Sequence, residues 1–221
     1  SLVINKGLVL TSASGAQDVN LYPPSGTGIS IQDGPDNVVV SNLTIVGNEL
    51  VGSGITVSPG ASNIQLANNS ISNILLPGGG NSSPLSYGIL VWGDSDPVNP
   101  PTGITIENNS ISNVLGSAIS LGSNTVDVTI AGNVFSNIVP VDFGGTPLAI
   151  GIQAELCAGL EISSNEYNDL LQATSLVNCS DVELVDNSYN NISLLLLTTW
   201  PHAIALDAEP WWSTTLSVDG V

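Results

Sequence analysis

Five stretches of this chain align with one another without gaps, although the intervals between them are irregular. They lie 40, 24, 32 and 22 residues apart and begin at Ile64, Ile104, Val128, Leu160 and Val182. The sixth residue of each stretch is an asparagine: Asn69, Asn109, Asn133, Asn165 and Asn187. Apolar or aromatic residues recur at fixed positions on both sides of it. Constant segments joined by loops of variable length are typical of a solenoid whose coils stack on one another.

A second pattern repeats seven times and predicts another strand in every coil. Each copy contains a small residue followed by a second residue that is usually aliphatic. The small residues are Gly28, Gly54, Gly88, Ala118, Gly151, Ala173 and Ala203. Side chains alternate between the two faces of a strand, so the residues that follow each pair are expected to point outward. These are Ser30, Thr56, Leu90, Ser120, Gln153, Ser175 and Ala205. An earlier copy of the first pattern has Leu43 in place of the asparagine, so the asparagines are expected to begin one coil later.

The segments NIQLANNSISNI, GITIENNSISNV and DVTIAGNVFSNI resemble the coils of right-handed parallel β-helix proteins of the pectate-lyase-like superfamily. The resemblance covers roughly Gly28 to Leu206. It implies an all-β fold, a right-handed parallel β-helix (β-solenoid) of about eight coils, with residues 1–221 as a single domain and the asparagines stacked as a ladder. We expect these asparagines at tight turns, where they tolerate left-handed backbone angles. The superfamily includes lyases, hydrolases, epimerases, phage tailspikes, adhesins and scaffolds, so the fold implies no single function.

The charge of the chain excludes several functions. Its 221 residues carry a net charge of −18, with Lys6 as the only lysine and no arginine. A nucleic-acid binder needs several cations to neutralise phosphates, so nucleic acid is not an expected partner. Polyuronates are disfavoured for the same reason. The resemblance also implies that a pectate lyase would use a basic residue, typically arginine, as its base, and this chain has no arginine.

The composition points to a secreted protein. No apolar run approaches the ~18 residues that a membrane-spanning helix requires. Only 9% of the residues are charged, against about 25% in ordinary globular proteins. The lack of methionine and the strand-like start at Ser1 fit a mature chain whose signal peptide has been removed. We therefore expect an extracellular or cell-surface location, no membrane span and no cofactor.

Two cysteines are spaced by one coil. Cys157 and Cys179 are 22 residues apart, which equals the interval between the two stretches that follow them. They should therefore occupy one column on adjacent coils, with Cα atoms about 4.8 Å apart, a separation that disulfides accept. Buried free thiols are the alternative. We predict the disulfide because the inferred compartment is oxidising.

Glycosylation is a further expectation. Six Asn-x-Ser/Thr sequons occur, at Asn42, Asn68, Asn81, Asn108, Asn178 and Asn191, and in so asparagine-rich a repeat several are expected by chance. Asn81 lies in the insertion PGGGNSSP and is the preferred acceptor. Asn42, Asn178 and Asn108 are further candidates, whereas Asn191 is expected to be bare.

Acidic residues offer a candidate catalytic pair. Carboxylates expected on the first strand column or its exit turn include Asp94 and Glu155, with Trp92 nearby to stack on a sugar ring. Two coils separate the pair, or about 9.6 Å, which is near the upper end of the ~6.5–9.5 Å range for inverting glycosidases. The alternative is that these acids are simply solvated. The sequences Asp33-Gly34-Pro35-Asp36 and Asp94-Ser95-Asp96 follow no calcium-loop pattern, so no metal site is predicted.

The chain ends favour a structural function. The N-terminal SLVINKGLVLTS and the C-terminal AEPWWSTTLSVDGV show no capping segment, and an uncapped coil exposes unpaired backbone groups. The preferred hypothesis is an extracellular filament or layer subunit that self-associates end to end, with Trp211 and Trp212 at the interface, and that is not an enzyme. The alternatives are a polysaccharide-acting enzyme of the inverting glycosidase type or a sugar-binding module on the outer face, with a glycan as partner.

Overall fold

The structure is a computed structural model. It describes residues 1–13, 19–32, 34–77, 85–93, 99–143 and 146–192, and the backbone of two later strands. Within these residues there are 25 strands and no helix. It follows that no helix in the part of the chain described could cross a membrane.

The strands are short, mostly three to six residues. In chain order they are β1 (Leu2–Ile4), β2 (Leu8–Thr11), β3 (Asn20–Leu21), β4 (Gly26–Ile31), β5 (Asp36–Ser41), β6 (Thr44–Val46), β7 (Val51–Val57), β8 (Ser62–Ala67), β9 (Ser70–Ile74), β10 (Ser86–Val91), β11 (Thr102–Glu107), β12 (Ser110–Val114), β13 (Gly116–Leu121), β14 (Val126–Ala131), β15 (Val134–Ser136), β16 (Val141–Phe143), β17 (Thr146–Leu148), β18 (Ile150–Glu155), β19 (Ala158–Ser163), β20 (Glu166–Leu170), β21 (Gln172–Val177), β22 (Ser180–Val185), β23 (Ser188–Ile192), β24 (Ile204–Asp207) and β25 (Leu216–Asp219).

The chain visits three parallel sheets in rotation. Sheet A has the order β1-β4-β7-β10-β13-β18-β21-β24, and sheet B has the order β2-β5-β8-β11-β14-β19-β22-β25. Sheet C has the order β3-β6-β9-β12-β15-β20-β23. A small antiparallel pair, β16 and β17, is inserted before β18. Seven coils with all three strands, followed by two strands of an eighth, form a parallel β-helix and confirm the predicted fold.

The sequence patterns map onto sheets A and B. The aliphatic column that begins with Ile64 belongs to sheet B, where Ile64 pairs with Ile104 and Ile104 with Val128. The small-residue column belongs to sheet A, where Ile55 pairs with Ile89. Sheet C was not predicted as a strand. Its inward residues are Leu21, Ile45, Ile71, Ile111, Phe135, Tyr167 and Tyr189.

The small residues of sheet A let it approach sheet C closely. A Cβ added at Gly54 would lie 2.5 Å from Cγ2 of Ile71, and one at Gly88 would lie 2.5 Å from Cγ2 of Ile111. Both isoleucines are fully buried. Since real Cβ atoms do not come so close to another carbon, a larger residue would push the two sheets apart, and packing at interior density would be lost.

The buried asparagines form the predicted ladder. The side-chain Nδ2 atom of Asn69, Asn109, Asn133 and Asn165 donates to the Oδ1 atom of the next asparagine at 3.0 Å in every case. Each Oδ1 atom also accepts the backbone N–H of the preceding ladder position, and each Nδ2 atom donates to a carbonyl of the preceding coil, as Asn133 does to Ile106 at 2.9 Å. Leu43 supplies only its backbone N–H, to Asn69. The ladder therefore begins at Asn69, as expected.

The left-handed backbone angle lies one residue earlier than expected. Asn68 and Asn108 have φ values of 55° and 54°, whereas the asparagines that follow them are not in this region. The same position in the other coils is taken by Asn42, Gly132, Ser164 and Asp186. The expectation that the ladder asparagines themselves adopt left-handed angles is wrong. The preceding residue makes the corner, and the ladder side chain is then free to point into the interior.

Removal of one central ladder amide should destabilise the protein strongly. Asn133→Ala leaves the backbone N–H and the side-chain Nδ2 of Asn109 without their shared acceptor in the interior. At about 1–3 kcal/mol for each buried unsatisfied group, we expect a loss of about 2–5 kcal/mol, measured by chemical denaturation. Asn190→Ala removes an exposed amide from the outer side of sheet C and is the control, with an expected change within about 0.5 kcal/mol. Equal effects of the two substitutions would contradict the role of the ladder.

Candidate functional site

A groove with a volume of about 570 Å³ follows the outer face of sheet A. Two parallel columns of outward residues form its floor and one wall. The floor column consists of Ser30, Thr56, Leu90, Ser120 and Gln153. The wall column, two residues further along each strand, consists of Gln32, Ser58, Trp92, Gly122 and Glu155. Five strands contribute, so the groove extends over about 19 Å at the usual strand spacing.

Trp92 and Glu155 are the most prominent side chains of the wall. Trp92 follows β10 directly and is 38% exposed, and Glu155 is the exposed last residue of β18. Leu121 pairs with both Val91 and Ala154, so Gly122 lies between Trp92 and Glu155 in this column. The sequence placed Glu155 on the first strand column or its exit turn. This placement is wrong, because Glu155 ends a strand of sheet A, which carries the second column.

The groove is polar but almost uncharged. Within the part of the chain that the structure describes, Glu155 is the only acidic side chain that lines it, and no basic side chain does so. Gln32 Nε2 donates to Ser30 Oγ at 2.8 Å, and Ser117 Oγ donates to Gln153 Oε1 at 3.3 Å. Tyr87 and Leu90 add apolar surface beside Trp92. Hydroxyl and amide groups around an exposed indole are suited to an uncharged ligand that has many hydroxyls and one apolar face.

A second carboxylate residue shares the register of Glu155. Glu155 pairs with Val177, and Val177 pairs with Asp207, so Asp207 occupies the same position two strands further along sheet A. At the usual strand spacing their backbones are about 9.6 Å apart. The side chain of Asp207 is not among those the structure describes. Asp94, the predicted partner of Glu155, and Asn81, Trp211 and Trp212 lie outside the described residues.

Cys157 and Cys179 are buried neighbours immediately beyond the groove. Their coils pair in register through Ala158 and Ser180, and the backbone N–H of Ser180 donates to Cys157 O at 2.9 Å. Both are free thiols in the structure, so the disulfide stays a prediction. The thiol hydrogen bond between them and burial raise the pKa of Cys157, while the same hydrogen bond lowers that of Cys179. Cys157 Sγ also lies 3.3 Å from the carbonyl oxygen of Glu155.

The described sequons differ in accessibility. Asn68 and Asn108 are exposed, whereas Asn42 and Asn178 are half-buried. Asn191 Nδ2 donates to Asp169 Oδ1 at 3.0 Å on the outer edge of sheet C. Glycan occupancy stays a prediction. No group of three or more metal-ligating side chains occurs within the ranges described above.

Solved structures supply the comparison with known proteins. No protein-family model matches the chain, and no curated protein matches it significantly. The catalytic domain of a GH87 alpha-1,3-glucanase in complex with tetrasaccharides matches with a TM-score of 0.55 and 13% identity, over 86% of this chain and 32% of that chain. A DFA-IIIase from Arthrobacter chlorophenolicus A6 in complex with DFA-III matches with a TM-score of 0.48 and 14% identity, over 82% and 37% of the two chains. The chain thus spans about a third of the length of these proteins.

This comparison establishes the class of fold and corrects the preferred function. The likeness to the glucanase shows that the coil is a right-handed parallel β-helix, as the sequence resemblance implied. That structure is a catalytic domain with an oligosaccharide bound. It contradicts our preference for a structural filament subunit and our expectation that the chain is not an enzyme. The chain ends favoured a structural function, whereas the groove on sheet A cannot be recognised from the sequence.

The cysteine pair is predicted to be oxidised in the native protein. We expect no reactive thiol in the denatured, unreduced protein and two after reduction, measured with a thiol-reactive chromophore. The bond would close a loop of about 22 residues and stabilise the fold by about 3 kcal/mol in the chain-entropy model. Reduction should therefore lower the Tm of the wild type but not that of a Cys157→Ser, Cys179→Ser double variant. Two thiols before reduction would show that the pair is a buried dithiol instead.

Proposed function

We propose that the protein is a polysaccharide-acting enzyme, a glycoside hydrolase that binds a neutral glycan along the outer face of sheet A. The observation that carries this proposal is the groove itself, in which Trp92 and Glu155 stand on either side of a glycine among uncharged polar side chains. The bound saccharide in the GH87 alpha-1,3-glucanase supports it at the level of the fold. Because the chain is only a third as long as that protein, its own substrate and linkage are open to experiment.

Electrostatics favours a neutral substrate. The net charge is −18, and no lysine or arginine lines the groove. A polyuronate or a phosphorylated polymer carries many negative charges, and this surface has no cations to neutralise them. The electrostatic repulsion would act along the whole length of the polymer. An uncharged glucan or fructan carries no such penalty. Its hydroxyls match the serine, threonine and glutamine groups of the groove.

The chemistry requires a second carboxyl group. In an inverting glycosidase one carboxylic acid protonates the leaving oxygen while the other activates a water molecule, with about 6.5–9.5 Å between them. We assign one of these positions to Glu155. Asp94 is the partner that the sequence suggested, and the register of β18, β21 and β24 favours Asp207 as the second candidate.

An extracellular location is part of the proposal. A polysaccharide that lies outside the cell is too large to enter it, so an enzyme that cuts such a polymer acts outside. Few charged residues, six sequons and two cysteines in adjacent coils are consistent with this location.

Glu155→Gln should abolish hydrolysis while the glycan still binds. The substitution keeps the shape and hydrogen-bonding size of the side chain but removes its proton transfer, which contributes about 10²- to 10⁴-fold in rate. The assay measures reducing ends released from neutral glucans and fructans. Asp94→Asn and Asp207→Asn are tested in parallel. The second catalytic carboxyl group is the one whose substitution lowers the rate as much as Glu155→Gln does. Glu183→Gln, an exposed glutamate on the outer face of sheet B, is the control and should retain full activity.

Trp92→Ala should weaken glycan binding about tenfold, because it removes the largest exposed apolar surface of the groove. Affinity electrophoresis in gels that contain each polysaccharide measures this loss. If the wild type neither binds nor cuts any neutral polysaccharide, the proposed function is wrong. If it binds but Glu155→Gln cuts as well as the wild type, the groove binds sugar but Glu155 is not catalytic.

A further inference from the structure

One hydroxyl group in the floor of the groove has no hydrogen-bond partner. Thr56 is 7% exposed, and its Oγ1 atom is the only buried side-chain oxygen or nitrogen without a partner within the described residues. Nearly all buried polar groups in folded proteins are paired, so an unpaired one calls for an explanation. The position of Thr56 in the groove suggests that its partner comes from outside the chain.

The neighbours of Thr56 cannot satisfy this hydroxyl. Thr56 pairs in register with Ser30 on one side and with Leu90 on the other. Ser30 Oγ accepts the side-chain amide of Gln32 and makes no hydrogen bond to Thr56 Oγ1, and Leu90 has no polar side-chain atom. The floor of sheet A is sealed on its inner side by the aliphatic core residues Ile55 and Val57, which are fully buried. Because Thr56 lines the groove, rotation about its Cα–Cβ bond would turn the hydroxyl toward the opening, where a ligand can meet it.

Trp92 lies diagonally across from Thr56 in the two columns that line the groove. It is two residues beyond Leu90 on the strand next to Thr56, and Ser58 stands beside it in the wall column. Such diagonal neighbours on adjacent strands are about 7–8 Å apart, within reach of a large aromatic side chain or of a ligand that touches both. Glu155 lies three strands from Thr56, or about 14 Å at the usual spacing.

We propose that Thr56 Oγ1 and Trp92 form a binding subsite for one neutral sugar unit, in which the threonine hydroxyl bonds a sugar hydroxyl and the indole covers the apolar face of the ring. This proposal rests on the proposed function and specifies it. The subsite is remote from Glu155, so Thr56 is a substrate-binding residue and takes no part in bond cleavage. A hydroxyl both donates and accepts, which matches a sugar hydroxyl better than a cation or an anion. The side chains around it, Ser30, Gln32 and Ser58, carry no charge.

The subsite predicts how affinity depends on substrate length. A ligand that occupies only the region of Glu155 does not reach Thr56, whereas a longer one extends over both. The wild type should therefore bind more tightly as the oligosaccharide lengthens, and the Thr56 hydroxyl should contribute to that increase.

The test compares Thr56→Val with the wild type, since valine has nearly the same shape and lacks only the hydroxyl. The probes are oligosaccharides of two to six units from α-1,3-glucan, α-1,4-glucan and inulin, with binding measured by calorimetry. For the longest ligand that binds, we expect Thr56→Val to weaken binding about two- to tenfold, the contribution of one hydrogen bond between neutral groups. Thr56→Ser should restore most of the loss. Thr105→Val, the same change on the outer face of sheet B, should bind like the wild type.

Thermal denaturation tests whether the Thr56 hydroxyl lacks a partner within the protein, independently of ligand binding. A hydroxyl without an internal partner can be removed without harm, so Thr56→Val should keep the wild-type Tm or raise it, and a Tm lowered by several degrees would overturn the proposal. If the wild type binds a glycan and Thr56→Val binds it equally well, the hydroxyl makes no bond to the ligand; the subsite is then wrong although the proposed function stands. If the wild type binds none of the probes, both are wrong.

Discussion

The stacking of every coil in the same register is the constraint on which the rest of this molecule depends. Backbone hydrogen bonds between parallel strands would also form if a coil slipped by two residues. The buried asparagines exclude this slip, because each amide needs the amide of the next coil as its partner. A displaced coil would leave several polar groups unpaired in an apolar interior, at a cost far above that of a lost surface contact.

The groove is a direct product of that register. Outward residues of sheet A form straight columns because the inward residues behind them are fixed, and the small residues at Gly54 and Gly88 keep the sheet flat against sheet C. Trp92, Gly122 and Glu155 come from three strands that are far apart in the chain but adjacent in space. Acidic residues elsewhere, such as Glu161 and Glu183, which pair on sheet B, give the remaining surface its negative charge. The described lining of the groove contributes only Glu155 to it, and this contrast favours the neutral ligand proposed above.

Much of the fold could be predicted from the sequence, because the ladder asparagines and the paired small and aliphatic residues recur in every coil. Sheet C was missed because its strands begin directly after the ladder asparagines and its inward positions change from isoleucine to phenylalanine and tyrosine. The left-handed corner was placed one residue late because asparagine occurs at both positions, as in Asn68-Asn69. Thr56 was correctly expected on the outer face of sheet A, but its unpaired hydroxyl depends on what Ser30 and Gln32 do. A sequence repeat does not reveal such side-chain contacts, and it does not reveal the exposure of Trp92.

Two long connections are found at the two ends of one strand. Residues 75–85 precede β10 and residues 92–101 follow it, whereas Leu115 alone separates β12 from β13. β10 is also the strand that leads to Trp92. Length can change at these corners without any shift in the pairing of β10 with β7 and β13. Divergence among related chains, or recombination in the laboratory, can therefore exchange these two segments and alter the surface beside Trp92 while the inherited coil geometry is kept.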